Sequence, residues 1–190
     1  MKRLKDKILS EGKYLGNGIL KVDSFMNHQI DPQLMKEVGE EFARRFKDQN
    51  PTRILTAESS GIAPALSAAL VLGVPLVFAR KHQPVTMAQN PFKESAMSHT
   101  KGNMVELIVS PEYLFATDRV LILDDFLASA RTIKALVKLV QASGATLVGI
   151  GAVIEKAFEG GRNEVSNLGV PVESLAAIAS FDGDKVVFRE

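Results

Sequence analysis

Apolar residues along the chain alternate between helical spacing and short continuous runs. Between residues 33 and 47 they recur at helical spacing, after Asp31 as a possible N-cap and Pro32 at the first helical position. Similar spacing predicts a second helix over 63–72, which ends at Gly73. It also predicts a third helix from about 132 to Gly144. The pattern predicts three amphipathic or buried helices in the central part of the chain.

Short apolar runs separate these helices. Runs at 54–57, 75–78, 120–123 and 147–154 have the length and composition of buried strands, and the third is expected to end at Asp124-Asp125. Strands that alternate with helices at these lengths predict an α/β fold with a doubly wound, mainly parallel sheet flanked by helices. Two last strands, 173–179 and 185–188, flank a hairpin turn at Asp182-Gly183.

The chain is long enough for one substantial core. We expect a single domain over residues 1–190, with a core of about 32–155 and a small hood from about 1–31 and 156–190. Residues 81–103 are polar and show neither the helical nor the strand period. This pattern predicts a flexible loop, which could be a mobile lid or a projecting hairpin. A disordered surface insertion would give the same pattern.

Composition narrows the possible functions. Apolar residues make up 46% of the 190 positions, charged residues 24%, and the net charge is +1, so no overall field favours nucleic acid or an anionic membrane as partner. The chain has no cysteine, which excludes disulfides and thiolate chemistry. Without a signal-like or membrane-spanning apolar segment, a cytoplasmic location is expected.

Candidate chemistry lies where the predicted strands end, because open parallel sheets bind ligands beyond the carboxyl ends of their strands. Asp124 and Asp125 follow a buried strand, and the small residues 128–130 lead through Arg131-Thr132 into a helix. Unpaired N–H groups at such a helix start can cradle a phosphate, and the carboxylates can accept hydrogen bonds from ribose hydroxyls or help place magnesium. Two other interpretations fit the spacing equally well. The acidic pair could simply cap the end of the strand, or it could belong to a phosphate-accepting signalling domain.

Two other strand ends carry weaker signals. Ser59-Ser60-Gly61 precedes a helix and can present N–H groups to an anion, although such residues often form an ordinary cap. Arg80-Lys81 could neutralise a charged leaving group, or could be a solvated strand end. The histidines His28, His82 and His99 are scattered, without the spacing of a metal cluster, and we assign them no role.

The stretch Val120–Thr132 resembles the phosphoribosyl-diphosphate motif of type I phosphoribosyltransferases. The resemblance implies that Asp124 and Asp125 face the ribose hydroxyls and that the 5′-phosphate lies over five loop residues, Ala128, Ser129, Ala130, Arg131 and Thr132. Many members have glycine within this loop, where this chain has Ala130 and Arg131. A left-handed backbone would be strained there, so either the loop avoids positive φ or the phosphate pocket is altered.

Further stretches resemble the members of the family that act on xanthine, namely 20–32, 58–64, 78–82 and 153–156. By this resemblance, Leu20, Asn27 and Lys156 line the base pocket. The pyrophosphate site would include Ser59, Ser60 and Gly61. Arg80 and Lys81 would approach it, either within one chain or across the interface of a homodimer. The cofactor implied is Mg²⁺, which arrives with phosphoribosyl diphosphate; no residue is assigned as its certain direct ligand.

The chemistry of these residues is compatible with such a reaction. The Lys156 ammonium can donate to a purine 6-oxo group, and the Asn27 amide can donate to the 2-oxo group that xanthine adds. Catalysis would consist of positioning and of stabilising charge on pyrophosphate, without a covalent protein nucleophile. Two alternatives remain, a hypoxanthine or guanine acceptor and a non-enzymatic regulator that senses phosphoribosyl diphosphate.

Overall fold

A computed structural model of the chain describes residues 1–97 and 104–189. Its helices are α1 (Lys2–Glu11), α2 (Pro32–Phe46), α3 (Ile62–Leu72), α4 (Arg131–Ala142) and α5 (Gly161–Val165), with a π-helical turn at Asp23–Asn27 and 3₁₀ turns at Lys47–Gln49, Ala157–Glu159 and Ser166–Leu168. Its strands are β1 (Lys13–Tyr14), β2 (Leu20–Lys21), β3 (Arg53–Ala57), β4 (Leu76–Ala79), β5 (Phe92–Met97), β6 (Met104–Val109), β7 (Arg119–Leu127), β8 (Thr146–Lys156), β9 (Val172–Asp182) and β10 (Lys185–Phe188).

The main sheet has the order β10-β9-β8-β7-β3-β4. Every neighbouring pair from β9 to β4 is parallel, and β10 joins β9 in the antiparallel sense. The chain places β4 on one side of β3 and β7 on the other, so the winding direction changes between β3 and β7. The predicted doubly wound, mainly parallel α/β fold is confirmed, and its switch point is the usual place for a ligand.

Side chains of β7 alternate between two cores. Leu121 and Leu123 belong to the core under α1, α2 and α3, whereas Val120 and Ile122 belong to the core under α4. Because both faces are covered, the strand consists of a continuous apolar run instead of an alternating one. No helix in the described part of the chain is long and apolar enough to cross a bilayer.

Local signals mark helix ends correctly. The Asp31 carboxylate accepts a hydrogen bond from the Leu34 N–H at 3.0 Å, with Pro32 at the first helical position of α2. Gly73 ends α3 in the left-handed conformation. These caps agree with the sequence prediction because they depend on residues a few positions apart.

Two boundaries differ from the prediction. Strand β7 does not end at Asp124-Asp125 but continues to Leu127, since the pairing with β8 extends past the acidic residues. Strands β9 and β10 continue the main sheet, and α1 packs against them. A hood that starts at residue 156 therefore does not coincide with an edge of the sheet, because edge pairing brings the carboxyl-terminal strands into the core layer.

The polar stretch 81–103 contains one arm of a β-pair. Strand β5 lies antiparallel to β6 along its whole length, and Arg80 bridges to Ile108. The projecting-hairpin alternative agrees with this arrangement, although residues 98–103, including His99, lie outside the described residues. Strand β6 was missed by the sequence analysis because its polar and apolar positions do not alternate regularly.

Asp118 joins the amino ends of β3 and β7. Its carboxylate lies 2.6 Å from Arg53 Nε and accepts hydrogen bonds from the Phe115 N–H and the Thr52 hydroxyl. Burial by itself would raise the pKa of Asp118, but the Arg53 and Phe115 hydrogen bonds outweigh it and lower the pKa. A lowered folded-state pKa gives stability that is present above the unfolded-state pKa and is lost as pH falls through the folded-state pKa.

We expect Asp118→Asn to destabilise the protein by about 2 kcal/mol, which would lower the melting temperature by about 4–8 °C at pH 7. The deficit should shrink as the pH falls below the ordinary aspartate pKa, because the wild type then loses the same ionised carboxylate. Thermal unfolding from pH 7 to pH 3 measures this. Asp6→Asn, at an exposed position of α1, is the control; an equal deficit at all pH values would contradict the prediction.

Candidate active site

A cleft opens at the carboxyl ends of β3 and β7, at the switch point of the sheet. It consists of two hollows of about 190 and 270 Å³ that share Ser60, Asp124, Asp125 and Thr132. The first hollow extends toward β5, β6 and Lys81, and the second extends toward Leu20, Asn27 and Lys156. Segments that are far apart in the sequence therefore meet around the two carboxylates.

The turn after β3 forms one wall of the first hollow. Residues Glu58, Ser59, Ser60 and Gly61 line it, and the Glu58–Ser59 peptide is cis. The Lys81 N–H donates to Glu58 Oε1 at 2.6 Å, which ties the end of β4 to this turn. Arg80 does not line the cleft; it lies at the neighbouring edge of the sheet, with its Nε 3.9 Å from Glu58 Oε2.

Gly61 is required by close packing beneath the cleft. A Cβ at this position would lie 2.1 Å from Thr56 Oγ1 and 2.7 Å from Asp124 Oδ1. The Thr56 hydroxyl is buried and makes no hydrogen bond to the described residues. The turn can approach β3 and β7 so closely only because residue 61 has no side chain.

Gly61→Ala should destabilise the protein by about 1–3 kcal/mol, since the added methyl group must displace Thr56 or the Asp124 carboxylate. We also expect the variant to lose most of its affinity for ligands of the first hollow. Chemical denaturation and ligand calorimetry measure the two effects. Ser67→Ala in the same helix α3, where the hydroxyl donates to the Ala63 carbonyl, is the control; wild-type stability in Gly61→Ala would refute the packing argument.

Asp124 and Asp125 lie at the centre of the cleft. Asp124 Oδ1 accepts the Asp125 N–H at 3.0 Å, Asp125 Oδ1 accepts the Phe126 N–H at 2.9 Å, and Asp125 Oδ2 accepts Asn27 Nδ2 at 3.2 Å. Burial raises the pKa of Asp124 well above its ordinary value, and the neighbouring Asp125 charge adds to the rise. Burial also raises the pKa of Asp125. Asp124 is buried and Asp125 is partly buried, and two adjacent carboxylates in such a site favour the binding of a cation or of hydroxyl donors.

The 128–132 loop leads from β7 into α4 along the second hollow, which all five of its residues line. Ala130 adopts the left-handed conformation, with φ 59° and ψ 13°. The first alternative that the sequence left open, a loop that avoids positive φ, is therefore wrong at Ala130. Arg131 begins α4 and is exposed.

The far end of the second hollow is apolar with one buried cation. Leu20 and Lys156 are both less than 10% exposed, and Asn27 lies at the rim. The Lys156 ammonium lies 5.4 Å from the centre of the Phe126 ring and 3.5 Å from Glu159 Oε1. Phe126 and Ile19 also line this hollow and were missed by the sequence analysis, because an apolar residue within an apolar run gives no sign that it faces a ligand.

The described residues contain no group of three or more acidic or histidine side chains that could hold a metal ion by themselves. The two cleft carboxylates instead suit Mg²⁺, which proteins often bind through one or two carboxylates together with substrate phosphates and water. An α/β sheet with paired carboxylates at its switch point, followed by a loop and a helix start, is typical of proteins that bind a sugar phosphate or nucleotide.

Comparisons with known proteins narrow this class. A family model described as phosphoribosyl transferase domain matches residues 27–173. The chain is 53% identical over all 190 residues to a xanthine phosphoribosyltransferase of Bacillus licheniformis, covering 98% of that protein. It is also 53% identical over 182 residues, or 96% of the chain, to the enzyme of that name from Deinococcus deserti, covering 94% of it. The chain belongs to the phosphoribosyltransferase family.

Solved structures show the same fold. Adenine phosphoribosyltransferase of Giardia lamblia, complexed with 9-deazaadenine, aligns over 93% of this chain and 98% of its own with a TM-score of 0.77 at 20% identity. The Trypanosoma brucei enzyme, in complex with AMP, pyrophosphate and ribose-5-phosphate, aligns over 92% of this chain and 79% of its own with a TM-score of 0.75 at 24% identity. The type I phosphoribosyltransferase fold expected from the sequence is therefore confirmed.

Proposed function

We propose that the protein transfers the 5-phosphoribosyl group of phosphoribosyl diphosphate to xanthine, giving xanthosine 5′-monophosphate and pyrophosphate in purine salvage. The observation that carries this proposal is the two-part cleft around Asp124 and Asp125, with a phosphate-type loop on one side and a buried lysine at the far end. Relatives that bear the name xanthine phosphoribosyltransferase and match the chain over its whole length support the choice of base.

In this proposal each part of the cleft binds one part of the substrates. The 128–132 loop binds the 5′-phosphate, Asp124 and Asp125 accept hydrogen bonds from the ribose hydroxyls, and the Ser59–Gly61 turn with Lys81 binds the pyrophosphate. Leu20, Asn27 and Lys156 bind the base. The carboxylates also suit Mg²⁺ that arrives with the diphosphate, and this ion would neutralise charge on the leaving group.

The reaction needs no covalent intermediate with the protein. A ring nitrogen of the purine attacks C1′ with its lone pair, a C–N bond forms, and the bond from C1′ to the diphosphate oxygen breaks with its electron pair leaving on pyrophosphate. The N–H proton of the five-membered purine ring is released to solvent. The ribose passes through an oxocarbenium-like state. The chain holds the two substrates in line, donates hydrogen bonds to the departing pyrophosphate and excludes water, which would otherwise hydrolyse the sugar diphosphate.

Donor chemistry in the second hollow supports xanthine. The Lys156 ammonium is a donor without acceptor capacity, so it donates a hydrogen bond to a 6-oxo group and disfavours the 6-amino group of adenine, which is itself a donor. The Asn27 amide nitrogen donates to Asp125 Oδ2, and in the complex it is available for a 2-oxo group once ribose hydroxyls engage Asp125. A base with two oxo groups satisfies both donors, whereas hypoxanthine leaves one of them unpaired.

We infer that the protein works as a cytoplasmic homodimer. Helix α3 is apolar on all sides, and its outward side chains Leu66, Leu70 and Val71 are exposed, as is Phe78 on the edge strand β4. A helix of this kind is normally covered on both sides, and a second copy packed there would lie beside Arg80 and Lys81. Leu70→Glu should give a monomer in sedimentation experiments, with Leu9→Glu as an exposed control; an unchanged mass would count against this face.

Pyrophosphate release from magnesium, phosphoribosyl diphosphate and each of xanthine, hypoxanthine, guanine and adenine tests the function. We expect turnover to be fastest with xanthine, and chromatography identifies the mononucleotide formed. Faster turnover with guanine or hypoxanthine would support phosphoribosyl transfer but refute the assignment of xanthine as the base. Binding of phosphoribosyl diphosphate without turnover of any base would favour a regulator, which salt-dependent DNA binding would then support.

A further inference from the structure

The 128–132 loop contains a backbone conformation that its sequence does not favour. Ala130 is 5% exposed and has φ 59°, a region in which a Cβ lies too close to the following carbonyl oxygen. Glycine adopts this conformation without that penalty. A non-glycine residue stays there only when the surrounding structure holds it, so contacts outside the loop must fix its shape.

Gly161, the first residue of α5, contacts the backbone of the 128–132 loop. The Gly161 N–H donates to the Ala128 carbonyl oxygen at 2.9 Å. A Cβ on Gly161 would lie 2.0 Å from that oxygen and 2.8 Å from the Ala130 nitrogen. The backbone of α5 is therefore seated directly against the loop, at a distance that only glycine allows.

Helix α5 is only five residues long and cannot hold this position by itself. Arg162 anchors it through a fork of hydrogen bonds, with Nε at 2.9 Å and Nη2 at 2.6 Å from the Glu155 carboxylate. Arg162 Nη1 also donates to the Val172 carbonyl at 2.7 Å, and Ser174 Oγ donates to Glu155 at 2.6 Å. The Glu155 side chain is 2% exposed and Arg162 is partly buried, so the anchor joins β8, β9 and α5 from the carboxylate outward.

We propose that Gly161 and Arg162 are positioning residues for the sugar-phosphate site: Arg162, fixed by Glu155, holds Gly161 against the loop and thereby keeps Ala130 in the left-handed conformation. Neither residue lines the two hollows of the cleft. The inference rests on the proposed function, because it assigns the 128–132 loop to the 5′-phosphate. It predicts that changes at these residues weaken the binding of phosphoribosyl diphosphate separately from any effect on the binding of the base.

The first test is the affinity of Arg162→Met for magnesium phosphoribosyl diphosphate, measured by calorimetry without a base. We expect the Kd to rise about 10- to 100-fold, because a small displacement of the loop misplaces every contact to the phosphate. The KM for xanthine should change little, since Asn27 lies in the amino-terminal segment and Lys156 is fixed by the backbone pairing of β8 with β9. Arg45→Met is the matched control: Arg45 binds Glu173 and the Ser174 carbonyl from α2, and its hydrogen bonds do not reach the loop.

Rescue separates positioning from general stability. In the double variant Arg162→Met/Ala130→Gly, glycine adopts positive φ without the anchor, so most of the lost affinity should return. If Arg162→Met and Arg45→Met weaken binding equally, or if Ala130→Gly restores nothing, the proposal is wrong. The wild type serves as the separate test of function: if it binds no phosphoribosyl diphosphate, the proposed function fails, whatever the variants do.

Gly161→Ala tests the same idea with the ion pair intact, and it carries the test if Arg162→Met does not fold. Its methyl group would press on the Ala128 carbonyl, so the Kd for phosphoribosyl diphosphate should rise to a similar extent. Thermal unfolding monitored by circular dichroism shows whether each variant is folded under the conditions of the titration. An unchanged Kd in folded Gly161→Ala would overturn the proposal.

Discussion

Asp124→Asn is expected to lower kcat/KM for phosphoribosyl diphosphate by about 100-fold while raising the melting temperature by about 2–4 °C. The loss follows because a hydrogen bond from a hydroxyl to a charged acceptor contributes about 1.5–3 kcal/mol, and the amide is neither charged nor acceptor-only. The gain in stability follows from burial, which raises the pKa of Asp124 well above its ordinary value, with the Asp125 charge adding to the rise.

The stability effect of Asp124→Asn depends on pH. A carboxyl group with a raised folded-state pKa destabilises the fold when ionised, and this cost is complete above the folded-state pKa and disappears as the pH falls below the unfolded-state pKa. The stability advantage of Asp124→Asn over the wild type should therefore shrink on acidification. The wild-type KM for phosphoribosyl diphosphate should rise over the same range, because protonation removes the charged acceptor.

Steady-state kinetics and thermal unfolding between pH 5 and pH 8 measure both effects. Asp182→Asn, at the exposed carboxyl end of β9, is a control with the same change of charge. Wild-type kinetics in Asp124→Asn would refute its role in ribose binding. A lower melting temperature would show instead that the ionised carboxylate stabilises the fold through its hydrogen bond from the Asp125 N–H.

Lys156→Met should lower kcat/KM for xanthine by about 100-fold and leave the Kd for phosphoribosyl diphosphate nearly unchanged. The ammonium lies in a buried position beside the Phe126 ring, where loss of the donor leaves an oxo group of the base without a partner. Methionine keeps most of the apolar stem, so the change isolates the charged end. Selectivity for 6-oxopurines over adenine should fall as well, because the group that disfavours an amino substituent is gone.

Competition assays with the four bases and calorimetry with the sugar diphosphate measure these effects. Lys36→Met, on the exposed face of α2, removes the same charge far from the cleft. If Lys156→Met weakened the binding of phosphoribosyl diphosphate as strongly as the binding of xanthine, the role of Lys156 would not be specific to the base. Asn27→Ala should have a smaller effect that is largest for xanthine, because the Asn27 amide would contact the 2-oxo group of the base and not its 6-oxo group.

Much of the candidate site could be predicted along the chain. The Asp124-Asp125 pair after an apolar run, the small residues before α4 and the Ser59–Gly61 turn are local patterns, and all of them line the cleft. The prediction works because parallel strands bring their carboxyl ends to one edge of the sheet, so residues that follow strands must converge. Lys156 was identified only by resemblance, since a lysine at the end of a strand is usually solvated.

Contacts between distant segments could not be predicted in this way. Asn27 reaches Asp125 across 98 positions of sequence, and the Phe126 ring lies beside Lys156 because β7 and β8 pair past the expected end of β7. Gly161 looks like an ordinary glycine at a helix start, and its fit against Ala128 exists only once α5 is anchored by Arg162. Each of these relations depends on packing between elements and leaves no periodic signal in the sequence.

Hydrophobic period and capping signals act over a few residues, and they were enough to predict helices α2–α4, strands β3, β4 and β7–β10, the caps at Asp31 and Gly73, and the acidic corner of the site. The tertiary structure decided how far β7 runs, that the carboxyl-terminal strands complete the main sheet, and that Ala130 takes the conformation of a glycine. These features depend on strand pairing and close packing between distant segments, where the free energy of the assembled core overrides the preference of a single residue.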